Sequence, residues 1–403
     1  MRALLAGARR KQSQLLDLTK KLVLAESPSD DKSAVDACQD LAESHAQSLG
    51  GLIKRHKQKH FGDVLELRFG PRKPKNRILL LGHLDTVWPL GTLKTMPCRI
   101  ATQLPGSGGD QRLYGPGTLD MKAGVAMAFT AIEMLSEAGQ LNNEIILLLN
   151  SEEEIGSPIS RPISEKLAQE CAAVYVLEPA QGLAYKTARK GTGNWRIAVH
   201  GLAAHAGVDF TRGRSAILEL ARQIEKISAW TDLSKGITLN VGVIGGGTKS
   251  NVIPAEAWAE IDLRVARRAD GPRMEKRFAA LKPTAKSGCT LTIEGGINRP
   301  PMERTRGTVE LFRRAQSLAA ELGHDFLPGL FPGLPTPAQS KSPAPILNEA
   351  STGGASDGNF TSALGIPTLD GMGAVGEGAH ATHESILIDH LAPRTALLAA
   401  MLA

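Results

Sequence analysis

The stretch "EIILLLNSEEEIGS", residues 144–157, decides how the rest of the chain is read. Its first seven residues, Glu144 to Asn150, form an apolar run long enough for a strand buried on both faces. Glu152, Glu153 and Glu154 follow at the carboxyl end of that strand. In open α/β sheets this is the edge where ligands bind, because the loops leaving the strands line a crevice there. Three adjacent negative charges repel one another, so some of them must meet cations or take up protons. A solvated loop is the plain alternative, and the other strand ends arbitrate.

Two further runs have the same form. "RILLLGHLD" (residues 77–85) ends on His83 and Asp85, and "AAVYVLEPA" (172–180) ends past Glu178. Between them "MKAGVAMAFTAIEMLSEAG" reads as a helix rich in small residues, and upstream "SAVDACQDLAESHAQSLG" has helical spacing and closes on Gly50 and Gly51. With the strand-like "FGDVLELRFG", these elements predict an α/β fold with a mostly parallel central sheet and helices on both faces. The texture changes near Lys186: "NWRIAVHG", "SAILELARQIEKISAW", "ITLNVGVIGGG", "AEAWAEIDLRVA", "PRMEKRFAAL" and "CTLTIEGG" give the order βαββαβ. After Pro300 the helix "GTVELFRRAQSLAAELG" and the strand-like "IPTLDGMG" resume the first style. The expected organisation is a first domain in two parts, residues 1–186 and 299–403, with an α+β domain, residues 187–298, inserted between them. "LPGLFPGLPTPAQSKSPAPILNEA" reads as an irregular surface loop.

At 403 residues the chain exceeds what a single core usually organises. A net charge of +6 arises from dispersed basic residues, "RHKQKH" and "RVARR" being only short clusters, which disfavours nucleic acid and suits a small acidic substrate. Cys38, Cys98, Cys171 and Cys289 lie far apart with no CxxC spacing, so buried free thiols are expected. The opening "MRALLAGARRKQSQ" has too short an apolar run for a signal peptide, and no run approaches ~20 apolar residues, so a cytoplasmic protein without membrane contact is expected.

The strand ends acquire company from "GPGTLDMKAG", where Asp120 precedes the helix, and from "GEGAHATHE", where His380 follows closely spaced glycines. Two histidines and several carboxylates without a thiolate suit a hard or borderline dication, or a pair of zincs ~3.5–4 Å apart sharing Asp120. In that reading Glu154 binds metal, Glu153 is the base that takes a proton from water, and Glu152 is solvated and without a role.

In order along the chain, "GHLDTV", "YGPGTLDMKAG", "NSEEEIGS", "LEPA", "HGLAAHAG", "NVIPAEAWAEIDLRV", "GGASDGNF" and "GAHATHE" resemble the co-catalytic zinc peptidases and amidohydrolases, a family that includes glutamate carboxypeptidase, acetylornithine deacetylase, succinyl-diaminopimelate desuccinylase, aminoacylase and carnosinase-like dipeptidases. Glu178 and "DTVWPLGTL" resemble the glutamate carboxypeptidase type most. The resemblance implies a zinc held by His83 and Glu178 and a second held by Glu154 and His380, with Asp120 bridging. Cobalt or manganese are the possible replacements for zinc. Asp85 would orient His83, a cis peptide would join Asp120 to Met121, and Glu153 would be the general base. His380 is preferred over His383 as ligand because Glu384 then falls at the family spacing.

The resemblance also implies that the inserted domain pairs subunits into a homodimer. His205, and not His200, would reach the partner subunit's active site to stabilise an oxyanion. Asn251 and Arg264 would hold a substrate carboxylate, a strand-edge salt bridge being the alternative for Arg264. Gly353, Gly354, Gly376 and Gly378 would shape the same pocket. The implied reaction is hydrolysis of an amide beside a free carboxylate in a small peptide or N-acyl amino acid. A carboxypeptidase releasing C-terminal glutamate or a similar amino acid leads, an N-acyl-amino-acid amidohydrolase is the alternative, and a non-catalytic binding relative is the remote one. Residues 324–350 fit no family motif.

Overall fold

The computed structural model describes residues 1–102, 110–326 and 347–403. The chain divides into two compact units: residues 1–187, 304–351 and 356–403 form the first, residues 188–303 and 352–355 the second.

The first unit is built on a six-stranded sheet whose order along the sheet is 52–56, 64–69, 144–150, 77–83, 173–176, 368–369. The 77–83 strand is parallel to both neighbours, and the short 368–369 strand is parallel to 173–176. The other edge, 52–56 and 64–69, is antiparallel. The sheet is therefore mixed, parallel at its centre where the apolar runs are longest.

Side-chain alternation along each strand sends residues to two cores. Leu65, Leu80, Ile145, Leu147 and Tyr175 pack on one face with residues of the helices Arg2–Leu24, Ala123–Glu137, Arg306–Leu322 and Leu391–Leu402. Leu79, Leu81, Ile146, Leu148, Val174 and Val176 pack on the other with Leu167 and Ala168 of the helix Arg161–Ala168. Burial of each such side chain contributes ~1.5–3 kcal/mol against the entropy of ordering it. The 123–137 helix is buried nearly all round, which its Ala, Gly and Met content permits. Gly124 is obligatory there, since a Cβ would lie 2.2 Å from the Leu177 carbonyl oxygen. Two helix starts carry side-chain caps: Asp31 accepts from Ala34 N, and Thr305 from Thr308 N.

The first helix, Arg2–Leu24, goes unread in the sequence. So does a small antiparallel sheet of 99–102, 111–114, 385–387 and 376–377.

The second unit is a four-stranded antiparallel sheet, ordered 238–246, 256–265, 191–200, 290–299, with helices Ala216–Ser228 and Asp270–Ala279. Its elements follow the βαββαβ order. Trp195 stacks on Phe278 in its core, with ring centroids 4.2 Å apart. Among the described residues no helix is long and apolar enough to cross a membrane. The four cysteines are free, three of them buried. Residues 327–346 of the stretch read as a surface loop lie outside the described residues, and its end departs from that reading: Leu347 is buried and residues 349–350 begin the strand Glu349–Thr352.

Candidate metal centre

Parallel register places the acids. His83 pairs with Asn150 and Leu81 with Val176, so the chain leaves three adjacent strands at one sheet edge and delivers His83 and Asp85, Glu152–Glu154, and Glu178 side by side. Asp120 arrives from the turn before the 123–137 helix, through a cis Asp120–Met121 peptide. His380 arrives from the turn between the strands 376–377 and 385–387. Gly376 answers to strand packing, because a Cβ there would meet Ser385 O at 2.0 Å.

The two imidazoles approach Asp120 from different sides. His83 Nε2 lies 3.2 Å from Asp120 Oδ1 and 3.7 Å from Glu178 Oε1. His380 Nε2 lies 3.5 Å from Asp120 Oδ2 and 3.1 Å from Glu154 Oε2. Two donor groups, His83–Asp120–Glu154 and His83–Glu153–Glu178, each have one ligand atom per residue with all three within 4.8 Å of one another.

Behind them Asp85 is buried and fully used. Its carboxylate lies 3.4 Å from His83 Nδ1, accepts from Ser29 Oγ at 2.6 Å, and accepts from the backbone N–H groups of Glu153 and Glu154 at 3.2 Å each. One carboxylate thus orients the imidazole and the backbone of both acids.

Electrostatics follow from burial and crowding. Burial opposes charge on Asp120, yet its hydrogen bonds with His380 and His83 hold it far below the usual carboxylate range. Burial raises Glu154. Hydrogen bonds to Asp120 and Glu154 push His380 up to about 10. Burial would lower His83, but its bonds to Asp120, Asp85 and Glu178 outweigh this and raise it well above its ordinary value. Five carboxyl groups, of Asp85, Asp120, Glu153, Glu154 and Glu178, face two imidazoles, so acidic groups are in excess. Oxygen and imidazole donors without a thiolate, carrying that excess, fit divalent cations.

Glu152 corrects the sequence reading. It is 0% exposed, not solvated. Its Oε1 accepts from Ile159 N and Ser160 N, at 3.0 and 2.6 Å, and its Oε2 from Ser151 Oγ at 2.8 Å. Its task is to hold the loop that carries its two neighbours. His383 is exposed, as expected.

His205, Asn251, Arg264 and Gly354 belong to the second unit. His205 and Asn251 are adjacent there, with Ala206 N donating to Asn251 O at 3.0 Å. Arg264 makes the salt bridge anticipated as its alternative: Nε and Nη2 donate to Asp262 on its own strand at 2.8–3.1 Å. Gly354 O accepts from Arg189 at 3.2 Å. Sequence reasoning missed Ser29, which no local pattern marks, and gave Glu384 no contact of its own.

Fold and donor set together define a metal-dependent hydrolase. Residues 79–403 match the model of peptidase family M20/M25/M40, and the chain belongs to that family. It is 26% identical over 407 residues to carboxypeptidase G2 of Pseudomonas sp. strain RS-16, covering 99% of this chain and 91% of that one. It is also 26% identical to a succinyl-diaminopimelate desuccinylase of Stenotrophomonas maltophilia, covering 94% and 96%. A Bacillus subtilis protein described as a dinuclear metal-binding M20 peptidase superposes with a TM-score of 0.67 at 13% identity, covering 98% of each chain.

Proposed function

We propose that the protein is a di-zinc carboxypeptidase that releases a C-terminal glutamate or similar amino acid from a small peptide or acyl conjugate. The observation that carries this reading is the division of Asp120, one oxygen toward each imidazole. His83 and Glu178 would hold one cation, His380 and Glu154 the other, with Asp120 shared. Bound there, the cations would polarise the scissile carbonyl and lower the pKa of water.

The chain's own residues supply the rest. Glu153 takes a proton from the attacking water and returns it to the leaving amine. Asp85 keeps the His83 ring and the Glu153 backbone in place while it does so. His205 accepts from Gly207 N and Val208 N at Nδ1, which leaves the proton on Nε2, the form that donates to an oxyanion. In the proposed homodimer that donation is made in the partner subunit's site. Asn251 and Arg264 hold the substrate carboxylate, Arg264 through Nη1 since Asp262 takes Nε and Nη2. The full-length match to a desuccinylase supports a second reading, hydrolysis of an N-acyl amino acid by the same groups.

Zinc-loaded and chelated protein, assayed against C-terminal glutamate conjugates, dipeptides and N-acyl amino acids, test both. Cation-dependent release of glutamate from its conjugates supports the carboxypeptidase. Release confined to N-acyl amino acids selects the second reading, and no cation-dependent release from any member overturns both.

A further inference from the structure

Glu384 lies four residues beyond His380 and is 0% exposed. Its carboxylate receives four N–H groups. Oε2 accepts from Gly117 N and from Trp88 Nε1, both at 3.0 Å; Oε1 accepts from Leu119 N at 2.8 Å and Asp120 N at 3.1 Å. Its backbone continues the attachment, with Gly115 N donating to Glu384 O at 3.3 Å and Glu384 N to Ala381 O at 2.9 Å.

These donors come from segments that each carry a ligand candidate. Trp88 belongs to the loop that begins at His83. Residues 117–120 are the turn that ends in Asp120. Glu384 itself belongs to the turn that holds His380. A single carboxylate therefore joins three segments far apart in the chain, and it touches Asp120 through the backbone, leaving both carboxylate oxygens of Asp120 for the imidazoles.

We propose that Glu384 is a positioning residue that sets the mutual placement of the His83, Asp120 and His380 segments, and with it the separation of the two cation positions. The proposal rests on the ligand assignment given under Proposed function. Its chemistry is specific to a carboxylate. Each oxygen takes two N–H donors, so exchange of either oxygen for an amide NH2 puts donor against donor and strands two buried N–H groups. Glutamine keeps the volume and loses the function, whichever way its amide is turned.

The test uses the full chain and its variants Glu384→Gln and Trp88→Phe, with His83→Ala as the control for ligand loss. Co2+ is the probe, with affinity read by chelator competition, geometry by the visible absorption of the loaded protein, and thermal unfolding measured in chelator. Glu384→Gln is expected to lower Co2+ affinity ~10–100-fold, as loss of an outer partner of a ligand does, and to change the absorption. Trp88→Phe removes one donor of four and shifts both readouts the same way by less. Wild-type Co2+ affinity and absorption in both variants, with only a lower unfolding temperature, overturn the proposal and leave the ligand reading standing if His83→Ala loses Co2+. Absence of Co2+ binding by the wild-type protein overturns the ligand reading and the proposal together. If Glu384→Gln fails to fold, Trp88→Phe decides on the same readouts.

Discussion

The two imidazoles of the candidate metal centre live in different surroundings. His83 ends a central parallel strand, is 1% exposed, and has Asp85 and Ser29 behind it. His380 sits on a loop, is half-exposed, and occupies the left-handed region with φ of 61°. A non-glycine residue there costs ~1–3 kcal/mol and persists only where its surroundings hold it. The fixing comes from the backbone of the 376–387 hairpin and from Glu384. One half of the site is thus set by the sheet itself. The other is set by contacts that the sheet does not supply, and it is the half open to solvent.

The comparison can be broken in several ways. The largest expected effect is on the chemistry both halves serve: Glu153→Gln should reduce kcat by ~10²–10⁴-fold with cation content unchanged, measured by turnover beside metal analysis. Normal turnover would remove Glu153 as the base. Next is the pair His83→Ala and His380→Ala. Each should lose cation, but only His83→Ala should also lower the unfolding temperature markedly in chelator, since only His83 is packed in the core. Equal temperature shifts would erase the contrast between the halves.

The support of the exposed half carries its own pH signature. His390, in the turn after the 385–387 strand, is buried, and burial together with the charge of Arg394 lowers its pKa to about 4. Between its unfolded value of ~6.5 and that figure, the unfolded chain binds the proton and the folded chain does not. Stability should fall as pH drops through this window, by at most about 3 kcal/mol, and level off below it. His390→Gln in chelator should flatten that part of the profile relative to wild type; an unchanged profile would show that His390 is not the group responsible. The smallest expected effect is Asp85→Asn, which should weaken cation binding ~10–100-fold while leaving both ligands in place.

The sequence made the sheet-borne half legible because its strands are long apolar runs that stop abruptly at charge, as "RILLLGHLD" and "EIILLLNSEEE" do. The second unit was legible for a similar reason, alternating strands and strongly two-sided helices. In the loop-borne half His380 stood out by its closely spaced glycines, but the small sheet that carries it did not, because strands of two to four residues such as 376–377 and 99–102 carry no readable period and form by pairing across the chain. The first helix escaped since its apolar stripe, Leu5, Ala8, Leu15, Leu18 and Leu22, is interrupted at Lys11 and Gln12. Glu152 was misread because three adjacent glutamates look alike in sequence. Only the fold of residues 157–160 over Glu152 distinguishes it from Glu153 and Glu154.

The route of the chain has a consequence for its synthesis. The first unit is begun by residues 1–187 and finished by residues 304–403. Translation at ~5–20 residues per second puts roughly 10–40 s between the emergence of Glu178 and that of His380. During that interval His83, Asp85, Asp120, Glu153, Glu154 and Glu178 already exist on the ribosome, while His380 and the Glu384 carboxylate do not. A nascent chain therefore carries six side chains of the candidate site, with one imidazole among them, well before it carries the second histidine.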